Sequence, residues 1–442
     1  MIKSMIPNNN PYCQVPNLAI AATGPLQLLE KTFLQHQVKI EAWLREQWRC
    51  HPALFYCSVD LRNAGFKLAP VDTNLFPAGF NNLNPDFMPL CVQAVQITLE
   101  RLFPSCRGIL LIPENHTRNP HYLENVASLR TILLKAGFDV RIGSLLEDLT
   151  APRSIELPSG ESLVLEPIER EGNKVKVAGF TPCVVLLNND LSSGVPQILH
   201  NIEQPIIPPL SLGWATRLKS MHFAHYDKVC HEFAQLIDID PWFMNPLFRS
   251  CSDVDFMKRE GEEYLLQTAT ELFEEITQKY RQYNIQQSPY LVIKADSGSY
   301  GMGVLTINDP QEIVTLNRKA RTRMATTKDG QKINKVIIQE GVYTNESVGE
   351  NPAVAEPVVY MFGTQVVGGF YRVHKDRGAT ENLNSPGMHF EPLAFANPCN
   401  CPDYNPNPEE NLNRFYAYGV VARLALLAAM KELASTARND NK

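Results

Sequence analysis

A lysine inside an apolar run, followed by a glycine-rich turn, is the stretch of this sequence that points most directly to chemistry. Residues 289–307 read PYLVIKADSGSYGMGVLTI, with Lys294 in the first run and Val304–Ile307 as the second. In a strand, alternation places Lys294 on the face opposite to its neighbours. Glycines permit positive φ and close backbone approach, so N–H groups of the turn can surround phosphate oxygens. The pattern predicts a strand, a second strand, and between them a phosphate-binding loop containing Ser297, Gly298, Ser299, Gly301 and Gly303.

The order of the lysine and the glycines excludes the more familiar phosphate loops. A P-loop has its glycines before a Lys-Ser/Thr pair that opens a helix, and a kinase glycine loop also precedes its lysine. The dinucleotide fingerprint needs a helix after its glycines, whereas residues 304–307 favour a strand. An ATP-grasp arrangement remains, in which a lysine strand and a small glycine-rich loop clamp a nucleotide against a sheet. The alternative is a glycine-rich hairpin with an exposed lysine, because short glycine motifs often occur without function.

The next apolar segment predicts the other wall of a nucleotide site. Residues 335–340 (KVIIQE) favour a strand. In an ATP-grasp fold the end of this strand would be the interdomain hinge. We therefore expect the adenine edge and the ribose hydroxyls to meet Gln339, Glu340 and Val342.

A predicted hairpin and the polar segment after it contain candidate catalytic and metal-binding groups. Residues 355–361 and 365–373 favour two strands that bring Glu356 close to Arg372. This pair either belongs to the site or is a cross-strand ion pair of little energetic value. Beyond the hairpin, oxygen ligands of the kind that Mg²⁺ takes together with phosphates are supplied by Glu381, Asn382 and Asn384.

Polar side chains in the first part of the chain predict a site for small zwitterions. Residues 58–83 are interrupted by Gly, Pro and Asn, which favours an irregular loop over regular structure. Long loops of this kind usually have a function, although a plain surface loop is the alternative. Arginine and lysine suit carboxylates and aspartate suits an ammonium group. The candidate substrate-binding residues are Arg62, Lys67, Asp72, Asn74 and Asn81.

An alternation of strands and helices follows and predicts an open, largely parallel sheet. The apolar runs 108–113 (GILLIP) and 182–187 (PCVVLL) favour buried strands, and residues 162–166 and 174–178 favour a hairpin. Such sheets bind ligands beyond the carboxyl ends of their strands. Each of the two buried runs is followed by a polar segment at this position, 114–118 (ENHTR) after the first and 188–190 (NND) after the second. These polar residues either bind a ligand or cap the next helix.

The elements suggest an α/β protein with an N-terminal open-sheet domain followed by an ATP-clamping α+β domain. Residues 214–227 place Arg217, Lys219, His222 and His225 in a helix-like pattern without a convincing metal spacing. We predict an N-terminal helical region with the polar loop (1–105), an open-sheet domain (106–205), a linker and helical region (206–288) and a nucleotide-binding domain with a closing helix (289–442).

Composition limits the class of protein. The chain has 442 residues, a formal net charge of −6, 44% hydrophobic residues and ten cysteines. A mild negative charge argues against a nucleic-acid partner, which would require a basic stripe. The cysteines lack a framework spacing, which favours a reducing compartment. No apolar signal core is present at the N-terminus, and the run 419–430 is too short to span a bilayer. We therefore expect a cytoplasmic protein without a membrane partner.

Several long motifs resemble one known family. They are DLRNAGFKLAPVDTNLFPAGFNNL, IKADSGSYGMGV, VIIQEGV, AEPVVYM, VGGFYRVH, ENLNSPGMHF and RFYAYGVVARLALLAA, and together they extend from about Asp60 to the last helix. They resemble the ATP-grasp-related glutamate–cysteine ligases of proteobacteria. The resemblance implies ATP- and Mg²⁺-dependent synthesis of γ-glutamylcysteine, the first step of glutathione production. The residues alone reach only an ATP-clamping carboxylate ligase.

The resemblance and the motifs together give each candidate residue a role. Lys294 would contact the α/β-phosphates, and Arg372 would neutralise the γ-phosphoryl group as it passes to the γ-carboxylate of glutamate. Mg²⁺ would be held by Glu381 and Asn384, with Glu356 as a further ligand. Two alternatives stay open, an ATP-grasp ligase for a different acid and amine, and a nucleotide-binding regulatory protein without turnover. The oligomeric state also stays open.

Overall fold

A computed structural model describes residues 4–5, 19–20, 25–115, 119–298, 303–326, 332–349, 353–393 and 414–439. The helices are α1 (Pro25–Gln35), α2 (Gln37–Cys50), α3 (Met88–Leu102), α4 (Pro120–Lys135), α5 (Lys219–Ile237), α6 (Glu262–Gln282), α7 (Arg318–Ala325) and α8 (Arg414–Asn439). The strands are β1 (Ser4–Met5), β2 (Ala19–Ile20), β3 (Tyr56–Asn63), β4 (Leu68–Asn74), β5 (Gly108–Pro113), β6 (Asp139–Ser144), β7 (Arg153–Glu156), β8 (Ser162–Pro167), β9 (Glu169–Glu171), β10 (Lys174–Lys176), β11 (Val184–Asn188), β12 (Ile206–Ile207), β13 (Phe248–Ser252), β14 (Leu291–Ala295), β15 (Val304–Ile307), β16 (Lys335–Glu340), β17 (Glu346–Val348), β18 (Ala353–Phe362), β19 (Gln365–His374) and β20 (His389–Pro392). Together they form a mixed α/β fold with several sheets.

A six-stranded sheet in the order β12-β11-β5-β6-β8-β7 confirms the predicted open, largely parallel sheet. All its pairs are parallel except the edge pair of β7 with β8. Strands β5 and β11 are buried along their whole length and are apolar except for Asn188 at the end of β11, as expected for strands covered on both faces. Because β5 and β11 are parallel neighbours, the polar residues that follow them lie at the same edge of the sheet.

The predicted hairpin between residues 162–166 and 174–178 is wrong. Strand β8 pairs with β6 and β7 instead, and β10 pairs with β9 immediately before it. Strand β9 (ERE) is exposed along its whole length. An exposed charged strand has no apolar alternation, so its residue pattern did not reveal this closer partner.

An eight-stranded sheet contains the polar segment that was expected to be irregular, and that expectation is also wrong. Strand β3 pairs with β4 on one side and with β18 on the other, and β18 pairs in turn with β19. Both faces of β3 are covered, so its burial does not alternate. Arg62, Asn63 and Thr73 are therefore buried, where polar groups need charged or hydrogen-bonding partners, while Asp60 and Asp72 are partly buried.

A four-stranded antiparallel sheet in the order β13-β16-β14-β15 carries the lysine strand. Lys294 lies opposite Val304 of β15 and opposite Ile337 of β16. The strands that were predicted on both sides of the glycine turn are confirmed as β14 and β15. Helix α6 packs its apolar face, including Leu265, Leu272 and Ile276, into the core of this region.

Helix α8 is buried on every side from Tyr416 to Met430. Its residues there are mostly Ala, Val and Leu, and a helix that is apolar all round belongs inside a core. Arg423 within it forms two 2.8 Å hydrogen bonds to the carboxylate of Glu41. Within the described part of the chain, no helix combines the length and apolar character needed to cross a membrane.

A buried ion cluster joins the end of α8 to the start of α5. Arg217 donates to both oxygens of Glu432, at 2.9 and 3.0 Å, and His222 Nδ1 lies 3.2 Å from Glu432 Oε2. Burial opposes ionisation of Glu432, but Arg217 and His222 lower its pKa to about 2. Glu432 is therefore a carboxylate at neutral pH and compensates the buried guanidinium.

Replacing Glu432 by alanine should lower the free energy of unfolding by about 3–5 kcal/mol, because it leaves the Arg217 charge buried and unpaired. The adjacent Lys431 pairs with Glu232 at 2.9 Å in a partly exposed ion pair, so Lys431→Ala should cost less than about 1 kcal/mol. Urea unfolding of the two variants measures both values. Equal losses of unfolding free energy in the two variants would show that the buried cluster stabilises the protein no more than the partly exposed ion pair does.

Candidate active site

A cavity of about 770 Å³ lies between the three larger sheets. Its wall combines residues of β3, β4, β18 and β19 with residues of β14 and β16, and with residues that follow β5 and β11. Small-molecule sites usually occupy roughly 300–1,000 Å³. The volume is thus sufficient for a nucleotide-sized ligand together with a small molecule.

Lys294 occupies one part of this cavity. Its Nζ donates to the carbonyl oxygen of Val71 and to Oε1 of Gln339, both at 2.8 Å. Burial lowers the pKa of Lys294 to about 8, while Asp72 acts in the opposite direction. Gln339 Nε2 is buried and has no hydrogen-bond partner within the described residues. An ammonium group and an unused amide donor therefore face the same space.

A second lysine, Lys219, lines the cavity next to the first. Its Nζ lies 3.1 Å from Oδ1 of Asp72 and 3.8 Å from the centroid of the Trp214 ring. Burial opposes ionisation of Asp72, but Lys219 and Lys294 lower its pKa to about 2. Two lysines thus share one carboxylate, which leaves net positive charge for an anionic ligand. The sequence did not reveal this group, because Lys219 and Asp72 are 147 residues apart.

Two arginines and two carboxylates form a second charged group in the wall. Arg372 Nη1 donates to Glu356 Oε1 at 2.6 Å and to Asp60 Oδ2 at 2.8 Å. Arg62 Nε donates to the other oxygen of Glu356 at 3.0 Å. Glu356 lies opposite Arg372 in the pairing of β18 with β19, so the predicted proximity of these two residues is confirmed. The cluster joins three neighbouring strands of the eight-stranded sheet.

The charges in this cluster perturb one another. Burial raises the pKa of Asp60, and Arg372 only partly offsets this. Burial also opposes ionisation of Glu356, yet the two arginines lower its pKa below the usual range. Arg372 Nε is buried and has no hydrogen-bond partner among the described residues. Arg372 is thus a cation held by two carboxylates, and its Nε has no partner among the described residues. A simple cross-strand ion pair would involve only one carboxylate.

The carboxyl ends of β5 and β11 supply a third, polar part of the wall. Glu114 Oε1 accepts a 2.7 Å hydrogen bond from the backbone N–H of Asp190. Tyr122 OH donates to the carbonyl oxygen of Asn188 at 2.7 Å and accepts from Glu114 N at 2.8 Å. Asn188 also donates to the carbonyl oxygen of Pro77 at 2.8 Å. These bonds attach the chain after β4 to the sheet edge, where Asn81 and Asn82 line the cavity.

Comparison with known proteins assigns the chain to a family. Residues 30–433 match the GshA family model, described as glutamate-cysteine ligase. The chain belongs to the glutamate-cysteine ligase family. The predicted family and the predicted ligase activity in the first step of glutathione biosynthesis are therefore confirmed.

Solved structures give further relatives of this ligase. A candidate gamma-glutamylcysteine synthetase from Methylobacillus flagellatus KT is 56% identical, covers 96% of this chain and 100% of its own, and has a TM-score of 0.89. A glutathione synthetase-like effector from Globodera pallida is 11% identical over 83% of this chain and 80% of its own, with a TM-score of 0.36. D-alanyl-alanine synthetase A from Vibrio cholerae is 10% identical over 72% and 81%, with a TM-score of 0.34. The last two likenesses are too low to support an argument. No curated protein matches the chain.

Most residues that were predicted for the ligase site lie in the cavity wall. Ser299 and Gly301 are outside the described residues. Lys67, Ser297, Gly303 and Glu381 do not line the cavity. The predicted residues that do are Arg62, Asp72, Asn74, Asn81, Lys294, Gly298, Gln339, Glu340, Val342, Glu356, Arg372 and Asn384.

Lys67 is placed where it cannot bind substrate. Its Nζ lies 2.5 Å from Oε2 of Glu340 and 4.3 Å from the centroid of the Trp242 ring, and the residue is 1% exposed. Burial lowers the pKa of Lys67 to about 8, although Glu340 counteracts this. The carboxylate of Glu340 also accepts from Trp242 Nε1 at 3.1 Å and from Leu247 N at 3.0 Å. Glu340 therefore compensates a buried lysine, and its oxygens already have partners of their own.

Glu381 is likewise in a different environment from the one predicted. Its carboxylate is 45% exposed and pairs with Arg377 at 2.8 Å. Its backbone carbonyl, in contrast, accepts from Arg62 Nη2. Glu381 thus holds Arg62 through its main chain while its side chain points away from the cavity wall. The prediction that this carboxylate binds Mg²⁺ does not fit its placement.

Glu381→Gln should change kcat, and the Mg²⁺ concentration that gives half-maximal turnover, by less than about twofold, because exposed ion pairs contribute little. Glu356→Gln is the matched variant inside the cavity and should lower kcat by at least about tenfold, because it leaves two buried arginines without their shared charge. ATP turnover measured over a series of Mg²⁺ concentrations distinguishes the two variants. A tenfold higher Mg²⁺ requirement in Glu381→Gln would return this carboxylate to the metal site.

Proposed function

We propose that the cavity carries out ATP- and Mg²⁺-dependent formation of γ-glutamylcysteine through a γ-glutamyl phosphate. ATP phosphorylates the γ-carboxylate of glutamate, and the amine of cysteine then displaces phosphate from the acyl group. One observation carries this proposal, namely that a two-lysine group and an arginine group line a single cavity. Phosphoryl transfer depends mainly on positioning and on compensation of charge, which such groups supply. In this proposal β14–β16 form the nucleotide-clamping part of an ATP-grasp-like fold.

The part of the cavity around Asp72 is proposed to bind the nucleotide. Lys294 and Lys219 would contact phosphate oxygens of the nucleotide. For Lys294, these oxygens would replace its hydrogen bonds to the Val71 carbonyl oxygen and the Gln339 amide oxygen. Gln339 Nε2 would donate to a ring nitrogen of adenine, since it is a buried donor beside Lys294 that has no partner among the described residues. The backbone of the glycine turn would complete the phosphate site, with Gly298 already in the wall and with Ser297, Ser299, Gly301 and Gly303 as the remaining predicted residues.

The residues around Glu356 fit a magnesium ion that is bound together with ATP. Each oxygen of Glu356 accepts one arginine hydrogen bond, and a carboxylate oxygen has a second lone pair. Asn384 lines the same cavity and offers an amide oxygen. Mg²⁺ prefers one or two such ligands in addition to phosphate oxygens. When bound, the ion would supply charge neutralisation for the β- and γ-phosphates.

Arg372 is proposed as the residue that contacts the transferring phosphoryl group. Asp60 and Glu356 both accept from Nη1 of its guanidinium, and its Nε has no hydrogen-bond partner among the described residues. The N–H donors that these two carboxylates do not use would serve the oxygens of the phosphoryl group. Arg62 has a different role in this proposal. It donates to Glu356, to the Tyr290 hydroxyl at 3.3 Å and to the carbonyl oxygens of Val342 and Glu381. Its donors are engaged within the protein, so it positions the cluster.

The polar edge after β5 and β11 is proposed to bind the amino-acid substrates. The Asp190 carboxylate suits an ammonium group, and the amides of Asn74, Asn81 and Asn82 suit a carboxylate. This edge lies at the carboxyl ends of parallel strands, where open α/β sheets bind ligands. Substrate and nucleotide would then meet beside Arg372.

Product formation from ATP, Mg²⁺ and glutamate, with the second amino acid varied, tests the proposed function. We expect release of ADP that requires cysteine, together with a product of the mass of γ-glutamylcysteine. Release with a different amine instead would retain the ligase chemistry and overturn the substrate pair. ATP binding without release for any pair would indicate a regulatory nucleotide-binding protein.

Lys294→Met should lower kcat by more than about 100-fold, as loss of one buried electrostatic contact to the reacting group typically does. Lys335→Met is the matched control, because Lys335 is exposed at the start of the neighbouring strand β16. Steady-state kinetics with ATP as the varied substrate, with circular dichroism to verify folding, give the comparison. Similar turnover in both variants would remove Lys294 from the site.

A further inference from the structure

Cys106 and Cys183 lie side by side at the amino ends of β5 and β11. Their sulfur atoms are 2.7 Å apart, which is longer than the roughly 2.05 Å of a disulfide bond but places the two free thiols in direct contact. The backbone N–H of Cys183 donates to the carbonyl oxygen of Gly108 at 3.0 Å, and β5 and β11 are paired from there onward. The two thiols are therefore held together by the central hydrogen bonds of the parallel sheet.

The two cysteines have different environments. Cys183 is exposed, and its sulfur accepts hydrogen bonds from the backbone N–H groups of Arg107 at 3.1 Å and Gly108 at 3.3 Å. Burial opposes ionisation of Cys183, but these donors and the Cys106 thiol lower its pKa. Burial raises the pKa of Cys106 to about 12. An exposed thiol with a lowered pKa beside a thiol with a raised pKa is the arrangement of an attacking and a resolving cysteine.

The other described cysteines lack this combination. Cys57, Cys91, Cys230 and Cys251 are buried, and burial raises the pKa of each of them. Cys50 is exposed, and its thiol donates to the Glu46 carboxylate at 3.9 Å rather than to a second cysteine. The reactivity of a thiol depends on its pKa and on its access to solvent. We therefore expect Cys183 to be more reactive than these five cysteines.

We propose that Cys183 and Cys106 form a thiol–disulfide exchange site for small-molecule disulfides, separate from the ligase site. The Cys183 thiolate attacks one sulfur of the small disulfide, which forms a mixed disulfide and releases one small thiol. Cys106 then loses its proton to solvent and attacks Sγ of Cys183, which releases the second small thiol. The protein gains one disulfide and loses two thiol hydrogens, while the small disulfide is reduced to two thiols.

The position of the pair predicts how oxidation affects the ligase. Neither cysteine lines the cavity, which receives residues from the opposite, carboxyl ends of the same two strands. The backbone segments that the disulfide would join are already hydrogen-bonded to each other. Oxidation therefore needs little rearrangement, and ligase turnover of the oxidised protein should stay within about twofold of that of the reduced protein.

Oxidised glutathione serves as the probe, applied to the fully reduced, full-length protein at neutral pH and followed by intact mass and peptide mapping. The wild-type protein should lose two hydrogens and yield a peptide pair linked through Cys106 and Cys183. Cys106→Ser should retain one glutathionyl group on Cys183, because no resolving thiol is present. Cys183 in this variant should react at least about tenfold faster than Cys50.

Two control variants and one activity measurement complete the test. Cys50→Ser should form the same internal disulfide as the wild type, whereas Cys183→Ser should leave Cys106 unmodified. Ligase turnover of each variant verifies that it is folded. A glutathionyl group that persists on Cys183 in the wild type, a disulfide to a different cysteine, or reaction at Cys50 as fast as at Cys183 would each overturn the proposal.

Discussion

The carboxylate of Glu356 between two arginines is the interaction on which the site depends. It is 3% exposed, and its two oxygens accept from Arg62 on β3 and from Arg372 on β19. Buried charges are costly to remove from water, so such a cluster persists only when every member is compensated. Arg62 extends the compensation to the carbonyl oxygens of Val342 and Glu381. One carboxylate thereby fixes the relative positions of three strands and of two connecting segments.

A second series of buried hydrogen bonds connects the C-terminal helix with the part of the chain that carries the cavity lysines. Glu432 on α8 holds Arg217, whose Nη1 also donates to the carbonyl oxygen of Thr73 at 2.7 Å. Thr73 follows Asp72, the carboxylate near both cavity lysines, and Arg217 precedes Lys219 by two residues. None of the described side chains of this helix lines the cavity, yet its buried charge sets the geometry of residues that do.

The sequence predicted those parts of the fold and site that depend on local pattern. The apolar runs 108–113 and 182–187 are buried strands, and pairing across a short turn brought Glu356 next to Arg372. Prediction failed where a polar residue has a buried partner far along the chain. Lys67 pairs with Glu340, 273 residues later, so a lysine that resembled a substrate ligand is a compensated core residue. Residues 58–83 were misjudged for the same reason, because charges that favour a loop in isolation become strand residues once partners are available.

The pairing of β3 with β18 has a consequence for how the chain is made. Arg62 lies 294 residues before its partner Glu356, so the early strand leaves the ribosome long before its partner exists. Contacts so distant in sequence form slowly, and an unpaired strand edge exposed during that interval invites aggregation. The charges of Asp60, Arg62 and Lys67 keep this waiting segment hydrated. Asp60 and Arg62 can exchange water for their partners Arg372 and Glu356 only when β18 and β19 have been made.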